Sequence, residues 1–271
     1  MDSSYDPQTE PTYKERSYYW KTAIGLQQVD GLVPSQYLLD TANAHIEGKI
    51  SLAEAGKKIA EYYAQMPSAG IDEERQEEAD KVSLRITELL SEKTFSLSPV
   101  ELISIHKRLF NGIYDFAGKI RDYNISKQEW VLDGETVYYA SAYNIRKTLD
   151  YDFGQEKTFN YAGLDARSVI RHIMKFISDL WQIHAFGEGN TRTIAVFAIK
   201  YLRTFGYDLT NDTFEQHSKY FRNALVRANY HDTNRGITAT LTYLDRFFSN
   251  LLFGEQNKLK SRELHINSDN V

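Results

Sequence analysis

The chain predicts a mostly helical bundle, interrupted by one β-hairpin and preceded by a small helical unit. Three observations predict it. Apolar residues recur at three- and four-residue spacing through nearly the whole sequence. Only Trp130-Val131-Leu132-Asp133-Gly134-Glu135-Thr136-Val137-Tyr138-Tyr139 sets β-favouring residues about an Asp-Gly pair, the strongest short-range hairpin signal. Gly and Pro fall between the periodic segments. A chain of 271 residues has room for one sizeable core plus a smaller appendage.

Residues 1–16 are polar and read as a loose, disordered tail. Tyr18 to Gln65 carries helical spacing broken at Gly31-Leu32-Val33-Pro34 and at Gly48, which predicts a hairpin or three-helix unit over 17–66. Met66-Pro67-Ser68-Ala69-Gly70 marks a break, and Glu73 to Leu90 reads as a charged helix within a connecting segment, 67–98. Ser98-Pro99 supplies an N-cap with proline at the first helical position, opening a helix from Val100 to Phe110 and the main domain, 99–254. After the hairpin, helices are expected over Tyr143–Leu149, Asp165–His184, Thr191–Phe205 with Gly206 as C-terminal cap, Asn211–Asn229 and Thr238–Leu252. Residues 255–271 read as a C-terminal tail.

Composition narrows the functional class. A formal net charge of -5 argues against a nucleic-acid partner, and the one basic run, Lys258-Leu259-Lys260-Ser261-Arg262, reads as a solvated helix end. There is no cysteine, which removes disulfides, thiol catalysis and Cys-ligated zinc. No apolar run reaches membrane-spanning length, and Met1 to Asp6 lacks the basic and apolar parts of a signal peptide, so a cytoplasmic protein with no membrane partner is expected. The seven histidines show no metal-ligand pattern.

One run concentrates chemistry: His184-Ala185-Phe186-Gly187-Glu188-Gly189-Asn190-Thr191-Arg192. Val169, Ile170, Ile173, Met174, Ile177, Leu180 and Trp181 mark one helix face upstream, so His184 stands at the end of a buried helix. Gly187 and Gly189 stop that helix and let several N–H groups converge into an anion nest, at the N-terminus of the next helix. His184 is suited to take a proton from a hydroxyl. Glu188 is a hard oxygen donor of the kind Mg²⁺ on a nucleotide needs once or twice. Asn190 and Arg192 can donate to phosphate oxygens, and Phe186 is expected to point into the core. The plainer alternative is a core histidine followed by an ordinary inter-helix turn.

The run resembles the signature of the Fic family, His-x-Phe-x-[Asp/Glu]-Gly-Asn-[Gly/Lys]-Arg, in His184, Phe186, Glu188, Gly189, Asn190 and Arg192; only Thr191 departs. Tyr114-Asp115-Phe116-Ala117-Gly118-Lys119-Ile120-Arg121 is similar to the family's aromatic-Ala-Gly-x-x-Arg segment, and Asn124-Ile125-Ser126-Lys127 follows it. The resemblance covers roughly residues 80–260 and implies a Fic-type helical bundle. Its members mostly transfer AMP from ATP to a protein hydroxyl. It implies His184 as general base, Glu188 as Mg²⁺ ligand, Asn190 and Arg192 as phosphate contacts, and the Gly187–Thr191 backbone as anion hole. The hairpin, with Gly134, Thr136, Val137 and Tyr138, becomes a flap that registers an extended target peptide by main-chain hydrogen bonds, although a plain solvent hairpin fits the residues as well.

Many Fic proteins carry an inhibitory helix, [Ser/Thr]-x-x-x-Glu-[Gly/Asn], whose glutamate pairs with a second arginine three residues after the first. Here that position is Ala195. The segment from Trp20 to Gln65 is similar to the family's small antitoxin partners, and Leu26-Gln27-Gln28-Val29-Asp30-Gly31 is the best counterpart of the motif. Asn43-Ala44-His45-Ile46-Glu47-Gly48 competes with it, and either glycine can be a plain helix cap. Without the second arginine a charge-assisted pair of roughly 1.5–3 kcal/mol is lost, so weak or absent inhibition through Asp30 and Gly31 is expected. Arg203, Lys200 and Arg227 are the candidates to replace that arginine, and Tyr220 and Tyr230 are candidates to border a base.

The expected function is a protein adenylyltransferase using Mg-ATP on a Tyr, Thr or Ser hydroxyl of a protein, itself included. Two alternatives stay open. Lysine at the Thr191 position accompanies γ-phosphate transfer in the Doc branch, which leaves a protein kinase or another nucleotide transferase. A nucleotide-binding module without turnover is the third reading.

Overall fold

The computed structural model describes residues 10–66 and 70–267. Ten α-helices order it: α1 Tyr13–Leu26, α2 Gln36–Ile46, α3 Leu52–Ala64, α4 Ile71–Ser91, α5 Pro99–Phe110, α6 Ile145–Thr158, α7 Ala166–Ile183, α8 Asn190–Thr204, α9 Thr213–Ala228 and α10 Thr242–Phe253. Their starts are written in the chain. Thr12, Ser35, Ser51, Ser98 and Asp165 each accept from a backbone N–H of the first turn, and Pro99 occupies the first turn of α5. Gly206, with φ 83°, follows α8 and donates its N–H to Arg203. None of the described helices is long and apolar enough to cross a membrane.

α8 is the axis of the main core. Every residue from Asn190 to Leu202 is buried, so the helix is enclosed on all sides rather than amphipathic. Two of its cationic groups cap a neighbour: Lys200 donates to the carbonyls of Leu89 and Glu92 at 2.8 and 3.0 Å, and Arg203 to Leu90 at 2.6 Å. These bonds satisfy the C-terminal carbonyls of α4. They also take Lys200 and Arg203 away from the motif, while Arg227 donates to Leu264 O at 2.7 Å. The three candidates to replace the second arginine are therefore spent elsewhere. Tyr220 and Tyr230 are likewise buried in the main core.

α1 lies between two cores. Tyr18, Tyr19, Ala23 and Leu26 enter the main one, whereas Trp20 joins Leu38, Ala42, Ile46, Ala55, Ile59 and Leu84 in a second cluster roofed by α2 and α3. The approach of α1 to α9 is close enough that a Cβ on Gly25 would fall 2.4 Å from the Glu215 Cα, and Ser218 Oγ donates to Gly25 O at 2.6 Å. Buried Asp80 of α4 fixes the other end of the unit, accepting from the Ser35 amide at 2.8 Å and from Tyr63 at 2.7 Å.

Three sequence expectations are corrected. The hairpin over 130–139 does not form, and no strand occurs among the described residues beyond an isolated Asp232–Ile237 bridge. The Asp-Gly turn itself is present, with φ 56° at Asp133 and 85° at Gly134. Its first leg instead winds into a 3-10 turn, Trp130–Leu132, because consecutive Val131 and Leu132 are both buried and alternation would expose one. The Val131 carbonyl is taken by the amide of Ile266 at 2.9 Å. Second, α1 begins at Tyr13, inside the segment read as a loose tail; residues 1–9 of that tail lie outside the described residues. Third, the described part of 255–271 is packed, with Leu264 fully buried.

Candidate active site

α7 ends where its apolar face ends, and His184 caps it in a left-handed conformation, φ 49° and ψ 59°. A non-glycine residue there is strained by about 1–2 kcal/mol, the kind of cost found at functional positions. Nδ1 of His184 lies 3.1 Å from the Trp181 carbonyl. A carbonyl only accepts, so Nδ1 carries the hydrogen and Nε2 keeps a lone pair. The Tyr139 ring packs against the imidazole at 4.1 Å. Burial pushes the histidine pKa down to about 3, and the nearby cations Lys127, Arg222 and Arg121 act in the same direction. The ring is a neutral base-type tautomer.

The loop after His184 is fastened from three sides. Asn190 closes it from within: its Oδ1 accepts from the Phe186 amide at 3.0 Å and its Nδ2 donates to the Phe186 carbonyl at 2.8 Å. Arg121 donates to the His184 carbonyl at 2.7 Å, and its own amide donates to Ala185 at 3.0 Å. His106 of α5 accepts from the Gly118 amide at 2.9 Å through Nδ1, which leaves Nε2 to donate to the Glu188 carbonyl at 3.0 Å. Its ring stacks on Phe186 at 3.8 Å, and burial lowers its pKa to about 4. Phe186 thus points into the core as the sequence predicts. Gly189 is required twice over: its φ is 75°, and a Cβ there would fall 2.3 Å from the Phe110 ring.

Gly189 opens α8 without any side-chain cap, so the first amides of that helix, at Asn190, Thr191 and Arg192, have no hydrogen-bond partner among the described residues. Thr191 does not fill the space. Its hydroxyl accepts from the Trp181 indole at 3.0 Å and ties α8 to α7. Glu188 leans outward over a cleft of about 430 Å³ that is also lined by Asp30, Arg75, Glu78, Lys127, Glu129 and Arg222. The described residues hold no cluster of three or more acidic or histidine side chains able to cage a metal. A single exposed carboxylate beside a row of open amides fits a Mg²⁺ ion that arrives with phosphate oxygens and water.

Arg192 is placed differently from the sequence expectation. It is fully buried and carries its charge against two carboxylates, with Nε 2.8 Å from Asp30 and Nη2 2.7 Å from Glu78. The Asp30 contact is an ion contact lying off the N–H direction. Nη1 donates to Gln27 at 3.1 Å, and the guanidinium lies over Phe110 at 4.8 Å. Burial alone would lower its pKa; Asp30, Tyr114 and Glu78 outweigh that and raise it. Asp30 reaches this point because α1 runs into a 3-10 turn, Gln27–Asp30, closed by Gly31 at φ 67°. The competing Glu47-Gly48 only ends α2.

The four flap residues are spread out. Gly134 lies at the turn, Thr136 Oγ1 accepts from the Lys127 amide at 3.1 Å, Val137 is buried, and Tyr138 is 78% exposed with its carbonyl taken by Gln182 at 3.2 Å. Sequence reasoning missed His106, Glu78, Gln27 and Tyr139. A histidine on the apolar face of α5 was the one signal available; Glu78 is one acid among several in a charged helix.

Residues 96–202, which hold the histidine, the loop and most of α8, match the profile described as Fic/DOC family. They are a Fic/DOC family domain. The chain is similar to the protein adenylyltransferase VbhT of Bartonella schoenbuchensis (strain DSM 13525 / NCTC 13165 / R1), 26% identical over an alignment of 161 residues, with 54% of this chain and 32% of that one covered. The chain thus spans about a third of the length of that curated relative. Among solved structures, the N-terminal FIC domain of the Bep8 protein from Bartonella sp. 1-1C superposes with a TM-score of 0.53 at 18% identity, covering 69% of this chain and 88% of that one, which places the fold. The N-terminal Fic domain of a Bartonella effector protein from Bartonella sp. AR 15-3 gives 0.46 at 20% identity, with 74% and 80% covered.

Proposed function

We propose that this chain transfers AMP from Mg-ATP to a hydroxyl of a protein, with the domain held back by its own N-terminal unit. The carrying observation is the neutral His184, its Nε2 unpartnered, next to the open amides of α8. In this reading the target Tyr, Thr or Ser oxygen bonds to the α-phosphorus and its proton passes to Nε2. The bond from that phosphorus to the β-phosphate bridging oxygen breaks, and pyrophosphate leaves. The α8 amides bind and orient the phosphates, where fixed dipoles need no reorganisation as charge moves. Glu188 would hold Mg²⁺, which supplies charge neutralisation at the phosphate oxygens. Asn190 serves by holding the loop, its side chain being spent on Phe186. The segment 134–138, with Gly134 at its turn, Thr136 and buried Val137 holding it and Tyr138 exposed, would register the target chain.

Thr191 supports AMP transfer over the Doc-like alternative. Its side chain is neutral and turned to Trp181, so no ammonium competes for the nest. Inhibition is reassigned relative to the sequence expectation: Asp30 does have an arginine, Arg192 itself, and Glu78 and Gln27 help to hold it. Arg192 must leave these partners before it can touch a phosphate.

Incubation with ATP labelled at the α or the γ position tests the chemistry. Label on protein from the α position, absent in His184→Ala, is the expected result. Label from γ would instead make the chain a kinase, and no His184-dependent label would make it a binding module.

A further inference from the structure

The position three residues after Arg192 is Ala195, fully buried, and α8's own cations are engaged, Arg192 by Asp30 and Glu78 and Lys200 and Arg203 by carbonyls at the end of α4, so none of them is free to meet the outer phosphates of a bound triphosphate. We propose that Lys127 supplies it. This rests on the reading of the site as a nucleotide-transfer site.

Three cations face the cleft beside Glu188: Arg75, Lys127 and Arg222. Arg222 forks onto Glu129 at 2.7 and 2.8 Å, and Glu129 is 1% exposed, so drawing Arg222 away would strand a buried carboxylate. Arg75 donates to the Asp30 and Gly31 carbonyls at 3.1 and 3.4 Å and belongs to the inhibitory turn. Lys127 is left. Its one ion contact is Glu188 at 4.0 Å, the outer limit of an ion pair, and its side chain is 43% exposed. Such a contact is worth about 0–1 kcal/mol, so little is lost when the ammonium turns to a stronger anion.

Its placement suits the task. The Lys127 amide donates to Thr136 Oγ1 at 3.1 Å, which anchors the backbone while the four-carbon stem stays free to move. A compact ammonium on a flexible stem binds phosphate as a point charge and needs no bidentate geometry. It also stands beside Glu188, the carboxylate that would hold Mg²⁺.

The test is calorimetric titration of the chain carrying Asp30→Ala, in which Arg192 loses a partner, with Mg-ATP and with AMP. Adding Lys127→Met is expected to weaken ATP by about tenfold, the size of one charge-assisted contact, and to leave AMP unchanged. Lys127→Arg is expected to retain ATP within about threefold. Unchanged ATP binding in Lys127→Met overturns the inference and leaves the nucleotide site standing. Equal losses for ATP and AMP also overturn it, because a damaged loop, not an outer-phosphate contact, would act that way. If Asp30→Ala binds neither nucleotide, the inference falls together with the reading beneath it.

Discussion

His184 is buried and neutral, and both properties set how the site answers to pH. With its pKa near 3 in the free chain, the histidine needs no deprotonation at neutrality, and an incoming polyanion would raise that pKa toward a value useful for a base. NMR of the ring should show the Nδ1-protonated tautomer at pH 6 and a titration midpoint that moves up when Mg-ATP is added. A midpoint near 6.5 in the free chain would contradict this. The same depression has a cost in acid. Below pH 6.5 the unfolded chain takes up protons at His184 and His106 that the folded chain refuses until about 3 and about 4, so stability falls as the pH drops through that window. Each histidine contributes roughly 1.4 kcal/mol per pH unit. Denaturant unfolding at pH 7 and pH 5 should show the loss, with a shallower slope in His106→Gln. Gly189→Ala, forced to a left-handed φ and against the Phe110 ring, should cost about 2–4 kcal/mol in the same assay. The candidate run from His184 to Arg192 was legible because its residue types have few other uses at that spacing. His106 and Glu78 were not, because their roles depend on which helices meet.

At the scale of elements, α1 does two jobs that its sequence only half reveals. Helical spacing and the Gly31-to-Pro34 break mark the region where α1 gives way to the 3-10 turn Gln27–Asp30, and Asp30-Gly31 stands out as the counterpart of the inhibitory motif. The partner was legible only in three dimensions, since a motif comparison looks for the arginine at 195 and finds alanine. The flap shows the opposite failure: the Asp-Gly turn was readable, but local strand propensity gave way to the burial of Val131 and Leu132 and to the Ile266 amide. Because Tyr18, Tyr19, Ala23 and Leu26 belong to the main core, deleting residues 1–65 should unfold the Fic domain as well as unlatch it, at roughly 1.5–3 kcal/mol for each large apolar side chain exposed. Thermal melts of the truncated and full chains check this; an unchanged melting temperature would show that α1 is a detachable unit.

Across the whole molecule, the 3-10 turn after α1, helix α4 and helix α8 meet at Arg192, and in the proposed reading the N-terminal unit and the nucleotide compete for its guanidinium. A ligand that binds only the unlatched form gains affinity when the latch is weakened, and the gain appears as stabilisation by mass action. Mg-ATP should therefore raise the melting temperature of Asp30→Ala more than that of the unaltered chain. The central claim is that His184 performs AMP transfer while Asp30 restrains it through Arg192. The most direct measurement is the rate of protein labelling from α-labelled ATP in the unaltered chain, Asp30→Ala and Asp30→Ala/His184→Ala. The account predicts a rate at least about tenfold higher in Asp30→Ala, as expected for releasing a charge-assisted contact, and none in the double variant. An Asp30→Ala rate equal to that of the unaltered chain, or label that survives loss of His184, would contradict it.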